Sequence, residues 1–431
     1  MSGRIASNAG QLMLVPSHPG FWLPENHQGR FFNDIIENEF DVSSICKKFR
    51  RQEKRGRPGY DQVMLTKIIL YGYSMGLTSS REIERACLER IDFRYLSGNR
   101  QPDHRTISTF RQKHLRELAA LFKQVLSIAI DEELVEMKDV AFDGTKVLAN
   151  ASKRKAMSYE HMCAKTKVFR REIADLKKER RNARKQKRKK MRQQLDGEIK
   201  FKKDRLKKIR KAKKGLERHI RQEHDRKPYP KEQRNFTDPE SRIMKVGGDF
   251  EQCYNAQAAV DKKHQIILAV SVCQQTNDKK LLEPVIGDVF ENVGLIPDRG
   301  LADAGYFSEQ VLQSVAKRFN TTEWFVATGR LPHGRSTKAP RGRIPKNISA
   351  TDRMKRLLST KRGKSIYAQR KAVVEPVFGQ IKEANLQFRQ FSFRGLASVQ
   401  HEWQLVCAVH NLLKIYRNRK RTVQTKQALA A

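Results

Sequence analysis

The sequence predicts an α/β protein with a helical N-terminal part, on three observations. Apolar residues recur at helical spacing through roughly the first 140 positions. Strands and helices alternate from about residue 254 onward. Between them lies a basic run rich in strong helix formers. Taking the elements in order, residues 60–76 read as a helix around Ile68, Ile69 and Leu70. Ser79 with Glu82 forms a capping box that opens a helix to about Arg90. Asp103 is a good N-cap for a helix from His104 to Leu126, after a turn at Ser97, Gly98 and Asn99. Residues 153–226 read as one long helix, or as two packed antiparallel with a turn near Asp196 and Gly197. Tyr254 to Val260 and Gln265 to Val272 read as a β-hairpin, and Leu281 to Phe290 as a helix. A short strand leads into Asp303, Ser308 caps a helix to Phe319, and residues 324–327 form another strand. Residues 332–347 read as a loop rich in Gly, Pro, Arg and Lys, and from Ser365 the pattern is helical through Glu375 to Tyr416.

Charge narrows the function. The chain has 431 residues, with 88 Lys and Arg against 47 Asp and Glu, a net of +41. So basic a surface repels itself unless it meets a polyanion, and nucleic acid is the natural one. Residues 153–226 alone hold 31 Lys and Arg against 10 Asp and Glu, half of the whole excess. From Lys177 to Lys190 the only apolar residue is Ala183, so this stretch projects into solvent or along a phosphate backbone. No apolar run reaches the ~18 residues of a membrane span, and the first twenty residues lack the apolar core of a secretion signal. Six scattered cysteines, none in a Cys-x2-Cys pair, point to reduced thiols in a cytoplasmic protein rather than to a zinc ribbon or a disulfide framework.

The chemistry is sought in carboxylates that follow apolar strands, because a hard cation needs oxygen ligands on a rigid support. Val140-Ala141-Phe142 leads into Asp143 and Gly144; Leu301-Ala302 leads into Asp303, with Gly305 two residues on. A turn or cap aspartate is the plain alternative for each. A third cluster, Tyr367, Arg370, Glu375 and Lys382, lies in one segment. On a straight helix Glu375 and Lys382, seven apart, share a face, and a salt-bridged solvent face is the alternative. Pro376 implies that the helix starts or kinks there. From Thr78 to His114 a helix-turn-helix-like unit would present Arg105 and Arg111 to DNA, a purely structural helical pair being the competing reading.

The strings AFDGTKVLANAS, ADAGYF and YAQRKAVVEPVFGQIKEA closely resemble bacterial insertion-sequence transposases of the DDE type, nearest the eleven-eighty-two group within the IS-four and IS-five assemblage. SRIMKVGGDFEQCYNAQAAVD resembles that group's hairpin segment, and RPGYDQVMLTKIILYGYSMGLTSSREIE its N-terminal domain. The resemblance covers roughly residues 20–415. It implies a ribonuclease-H-like catalytic domain, a mixed sheet flanked by helices, over 136–416. A helical DNA-binding domain over 1–135, a basic helical insertion over 153–226 and a basic tail over 417–431 complete the organisation. It implies Asp143 on the first strand, Asp303 on the fourth and Glu375 on a late helix, all three holding Mg²⁺, with Mn²⁺ a substitute. The family's tyrosine-arginine-glutamate-lysine signature falls on Tyr367, Arg370, Glu375 and Lys382, with four residues rather than the usual three between Arg370 and Glu375. Lys382 and Arg370 would hold phosphates, and Tyr367 would pack on a sugar or an extruded base.

The expected function is therefore a transposase acting on double-stranded DNA that ends in terminal inverted repeats. It would cut and join strands into target DNA, as a homodimer on DNA, at the nucleoid in the cytoplasm and away from membranes. A non-catalytic DNA-binding regulator derived from a transposase is the competing reading, and an RNA-associated protein a weaker one.

Overall fold

Among the described residues six α-helices lead into the sheet: α1 (Gln28–Asn38), α2 (Ser43–Phe49), α3 (Gln62–Ser74), α4 (Ser80–Glu89), α5 (Ile91–Leu96) and α6 (His104–Asp131). They belong to a computed structural model that describes residues 18–49, 59–329, 345 and 348–430. The capping signals act as their chemistry requires. Ser79 and Glu82 form the capping box of α4, and the Asp103 carboxylate accepts from the Arg105 and Thr106 backbone N–H groups at the start of α6. The short α5 intervenes between α4 and α6, so the pair is not joined by a simple turn.

The chain then enters β1 (Asp139–Leu148), β2 (Ala156–Ser158), the long helices α7 (Tyr159–Lys185) and α8 (Lys189–His224), and strands β3 (Gln233–Asn235), β4 (Arg242–Val246), β5 (Asp249–Asp261) and β6 (Ile267–Cys273). After α9 (Leu282–Val293) come β7 (Arg299–Ala302), α10 (Glu309–Arg318), β8 (Glu323–Val326), α11 (Ala350–Ser359), α12 (Lys361–Gly379) and α13 (Leu396–Ala430). In the main sheet β5 pairs with β1 along one edge and with β6 and β4 along the other, all antiparallel. β1, β7 and β8 run parallel. The expected hairpin is β5–β6; Asp303 stands just past β7, whereas Asp143, expected to follow its strand, lies midway along β1, which runs on to Leu148. This is a mixed sheet flanked by helices, consistent with a ribonuclease-H-like fold.

One hydrophobic core runs from Phe32 and Ile68 of the N-terminal helices through Phe142 and Phe325 of the sheet to Trp403 of α13. The boundary expected near residue 135 is therefore no gap in packing. α13 continues past Tyr416, and Arg419, in the stretch expected as a tail, pairs with Glu39 and Glu132.

Three expectations need correction. The basic segment is two antiparallel helices, tied by Arg180–Asp196 and Lys202–Glu172, but it turns at residues 186–188 instead of at Gly197. Lys187 takes the left-handed conformation there (φ 54°), and Gly197 lies inside α8 with open space where a side chain would be. Along the hairpin Ile173, Ala183, Leu195, Ile199 and Leu206 are buried, so even this charged arm has a seam. Second, the C-terminal helix is broken between α12 and α13, because Phe388 and Phe391 turn inward and Leu148 bridges to Gln390. Third, Pro376 neither starts nor ends α12 but sits inside it. Proline cannot donate to the carbonyl four residues back; that carbonyl, of Ala372, accepts instead from the Gln265 side-chain amide at 3.3 Å. The expected loop at 332–347 falls almost wholly outside the described residues.

Candidate active site

Register brings the two aspartates together. Parallel pairing of β1 with β7 runs from Asp139–Arg299 to Phe142–Ala302, and the next residue on each chain is the aspartate. Asp143, midway along β1, and Asp303, just past the end of β7, therefore stand side by side. Burial pushes the Asp143 carboxyl up, the Arg370 guanidinium pulls it down, and the neighbouring Asp303 charge raises it again, leaving it at about 6. Each carboxylate is oriented by a nearby backbone group, within β1 for Asp143 and in the turn after β7 for Asp303: Gly144 N–H donates to Asp143 Oδ1 and Gly305 N–H to Asp303 Oδ1, both at 2.8 Å.

α12 lies against this pair. Arg370 is buried, and its Nη1 donates to Asp143 Oδ2 at 2.9 Å, while its Nε finds no hydrogen-bond partner among the described residues. Arg370, expected on a phosphate, thus holds a carboxylate in this structure. Tyr367 sits half-buried one turn earlier beside Arg370; burial raises its hydroxyl, and the Asp303 charge adds to this. Glu375 is exposed, five residues beyond Arg370 and about 7.5 Å further along the helix axis at 1.5 Å per residue. Among the described residues no three His, Cys, Asp or Glu side chains form a set that would hold a metal ion.

Lys382 differs from its expected setting. Residues Gln380–Ala384 form a π-helical turn, so Glu375 and Lys382 do not keep the phase of one straight helix. Its Nζ donates to the backbone carbonyl of Lys146, three residues past Asp143, at 2.8 Å, and burial lowers its pKa. Lys382 is therefore docked on β1, the strand that carries Asp143.

The two arginines assigned to the N-terminal reader part company. Arg105 is exposed and lines a cleft of about 1160 Å³ with Tyr60, Tyr95, Arg100 and Lys113. Arg111 is buried: it donates to the Thr78 carbonyl at 2.8 Å and to the Tyr73 hydroxyl, and lies 3.6 Å from the fully buried Glu402 of α13. It is an interior charge that ties α6 to α13, not a surface group that meets DNA.

The segment over residues 20–113 matches a family described as "Transposase domain (DUF772)", and residues 219–412 match "Transposase DDE domain". The chain carries the two domains of a DDE transposase. The second is a polynucleotidyl transferase domain, and its match takes in Asp303, Tyr367, Arg370, Glu375 and Lys382. Asp143 and most of the basic arm fall between the two matched segments, so Asp143 rests on its register beside Asp303. No curated protein and no solved structure matches the chain. None of the helices among the described residues is long and apolar enough to cross a membrane.

Sequence reasoning missed a group beside the aspartates: Asn255 and Gln257 of β5, Asp278, and Tyr306. A signal existed. Asn255 and Gln257 alternate with alanines within a strand that is otherwise buried, and two buried amides in such a strand require partners.

Proposed function

We propose that this transposase binds the terminal inverted repeats of an insertion sequence of the eleven-eighty-two type, cleaves the element's ends and joins them to target DNA. The observation that carries the reading is the pair of carboxylates, Asp143 and Asp303, on adjacent parallel strands, each held by a neighbouring backbone N–H. Asp143, pushed up to about 6 by burial first and by the neighbouring Asp303 charge after it, is a hard oxygen donor that a divalent cation would stabilise in its charged form. Mg²⁺, or Mn²⁺ in its place, would be held by Asp143, Asp303 and Glu375; when bound, it activates water or a DNA 3′-hydroxyl and stabilises the leaving oxygen at phosphorus.

The chain's own groups supply the rest. Arg370 neutralises Asp143 and holds its carboxylate in place beside the site. Tyr367 offers a ring and a hydroxyl beside it for the terminal nucleotide. Lys382, anchored on Lys146, places its ammonium near the strand that carries Asp143. The α7–α8 arm lays its net positive charge along the phosphate backbone. The Arg105 cleft contributes to reading the end, and two chains pair the two ends as a dimer on DNA.

The test is cleavage of DNA that carries the repeats flanking the gene. The wild-type protein with Mg²⁺ should nick at the repeat boundary, and Asp143→Asn, Asp303→Asn and Glu375→Gln should each bind this DNA without cutting it. A wild-type protein that binds the repeats but never cuts them, with Mg²⁺ or Mn²⁺, would make the chain a non-catalytic regulator instead.

A further inference from the structure

The residues around Asp303 form a hydrogen-bonded chain that the two-aspartate site does not itself explain. Asp278 Oδ1 accepts from Asn255 Nδ2 at 2.6 Å and from Gln257 Nε2 at 2.8 Å, and Lys146 Nζ lies 4.0 Å from the same oxygen. Gln257 Nε2 also donates to Asn255 Oδ1 at 3.0 Å, while Gln257 Oε1 accepts from the Tyr306 hydroxyl. Tyr306 is fully buried and follows Asp303 by three residues, and its backbone N–H closes onto the Asp303 carbonyl at 3.4 Å. The path thus runs from Asp278 through a β5 amide to the turn that presents Asp303.

Both glycines of the aspartate motifs make room for this path. Gly144 pairs with Gln257 in register, so the two positions share a face of the sheet. A Cβ on Gly144 would fall on the Gln257 amide nitrogen and lie 3.1 Å from Asn255 Oδ1. A Cβ on Gly305 would lie 2.9 Å from Asp303 Oδ1 and 3.1 Å from Asp278 Oδ2, between the two carboxylates. Successive strand residues point to opposite faces, so Asp143 faces the site while Gly144, behind it, lets Gln257 cross β1 toward β7.

We propose that Asp278, Asn255, Gln257 and Tyr306 are positioning residues that fix the Asp303 carboxylate for metal binding, with Gly144 and Gly305 the clearances the network requires. This inference rests on the reading of Asp143 and Asp303 as metal ligands. Asp278 acts here as an acceptor that pins two amides. Its asparagine variant keeps an acceptor oxygen, and its alanine variant does not.

The experiment compares wild type, Tyr306→Phe, Asp278→Ala, Asp278→Asn and Asp303→Asn, each confirmed folded by circular dichroism. It reads the Mn²⁺ concentration that gives half of the metal-induced shift in melting temperature, and hydrogen exchange of the 299–307 segment without metal. Tyr306→Phe and Asp278→Ala should raise the half-saturating Mn²⁺ tenfold or more and speed exchange of that segment, with metal-free DNA affinity within twofold of wild type. Asp278→Asn should stay within threefold of wild type in Mn²⁺. Equal damage in Asp278→Asn and Asp278→Ala would overturn the positioning role, because the charge itself would then be required. Wild-type Mn²⁺ affinity in Tyr306→Phe, with Asp303→Asn defective, would overturn the brace alone. If Asp303→Asn binds Mn²⁺ as wild type does, the metal reading fails and the brace falls with it.

Discussion

Replacing Arg111 by alanine separates a surface DNA-binding group from an interior tie, and the structure sets the size of the effect. The guanidinium and the Glu402 carboxylate are 5% and 0% exposed and lie 3.6 Å apart. At an effective dielectric of about 20, two unit charges at that distance attract by roughly 4–5 kcal/mol. Desolvation offsets much of this while the pair is intact, but deleting one partner strands the other, at about 3–5 kcal/mol. Tyr73 O–H and the Ser392 and Phe393 backbone N–H groups still reach Glu402, so the loss should fall toward the lower end of that range. For a chain of this size, at roughly 1 °C per kcal/mol, Arg111→Ala should melt about 3 °C or more below wild type. Thermal unfolding by circular dichroism measures this, with a gel shift on terminal-repeat DNA at a temperature where both proteins are folded. Removing both charges, as in Arg111→Met with Glu402→Leu, should recover part of the loss, and DNA affinity per folded molecule should hold. If Arg111→Ala melts within 1 °C of wild type and instead loses DNA affinity, the interior assignment is wrong.

Three further outcomes follow. His410 is fully buried, and burial with the nearby Lys414 charge lowers its pKa from 6.5 to about 3. Between these values the unfolded chain binds the extra proton, so stability rises with pH across that window and is lost on acidification, by up to about 5 kcal/mol near pH 3. In urea unfolding, His410→Gln should reduce the slope of stability against pH near pH 5 by about 1.4 kcal/mol per pH unit; an unchanged slope would refute this. Deleting the α7–α8 hairpin should weaken binding to all DNA sequences alike and flatten log affinity against log salt by about 0.9 for each phosphate the arm had neutralised, and an unaltered slope would assign the arm elsewhere. Lys382→Ala should raise the DNA concentration needed for half-maximal cleavage without changing Mn²⁺ binding; wild-type cleavage at subsaturating DNA would remove Lys382 from the site.

What the sequence made legible was local. Asp143 and Asp303 announce themselves because each ends an apolar run, and parallel pairing does the rest. Ser79, Glu82 and Asp103 are legible because a cap is satisfied within three residues. The misreadings come from partners distant in sequence. Pro376 stays inside a helix because Gln265, more than a hundred residues earlier, takes the orphaned carbonyl. Asp278 was invisible because its meaning lies in the two β5 amides that converge on it. Arg111 did carry a readable sign: it lies between Ile107 and Leu115 on the apolar stripe of α6, and the stripe places it inside whatever its charge. The turn of the basic arm at Lys187 has no glycine or proline to mark it, whereas Gly197 marks nothing.

Counting bound Mn²⁺ by electron paramagnetic resonance on the protein–DNA complex tests whether Asp143, Asp303 and Glu375 hold the divalent metal of strand cleavage. Wild type should bind Mn²⁺ tightly, and Asp143→Asn, Asp303→Asn and Glu375→Gln should each lose at least one ion or bind it at least tenfold more weakly while keeping the DNA. Wild-type Mn²⁺ stoichiometry and affinity in Glu375→Gln would take the glutamate out of the site, and the same result in Asp143→Asn or Asp303→Asn would contradict the account as a whole.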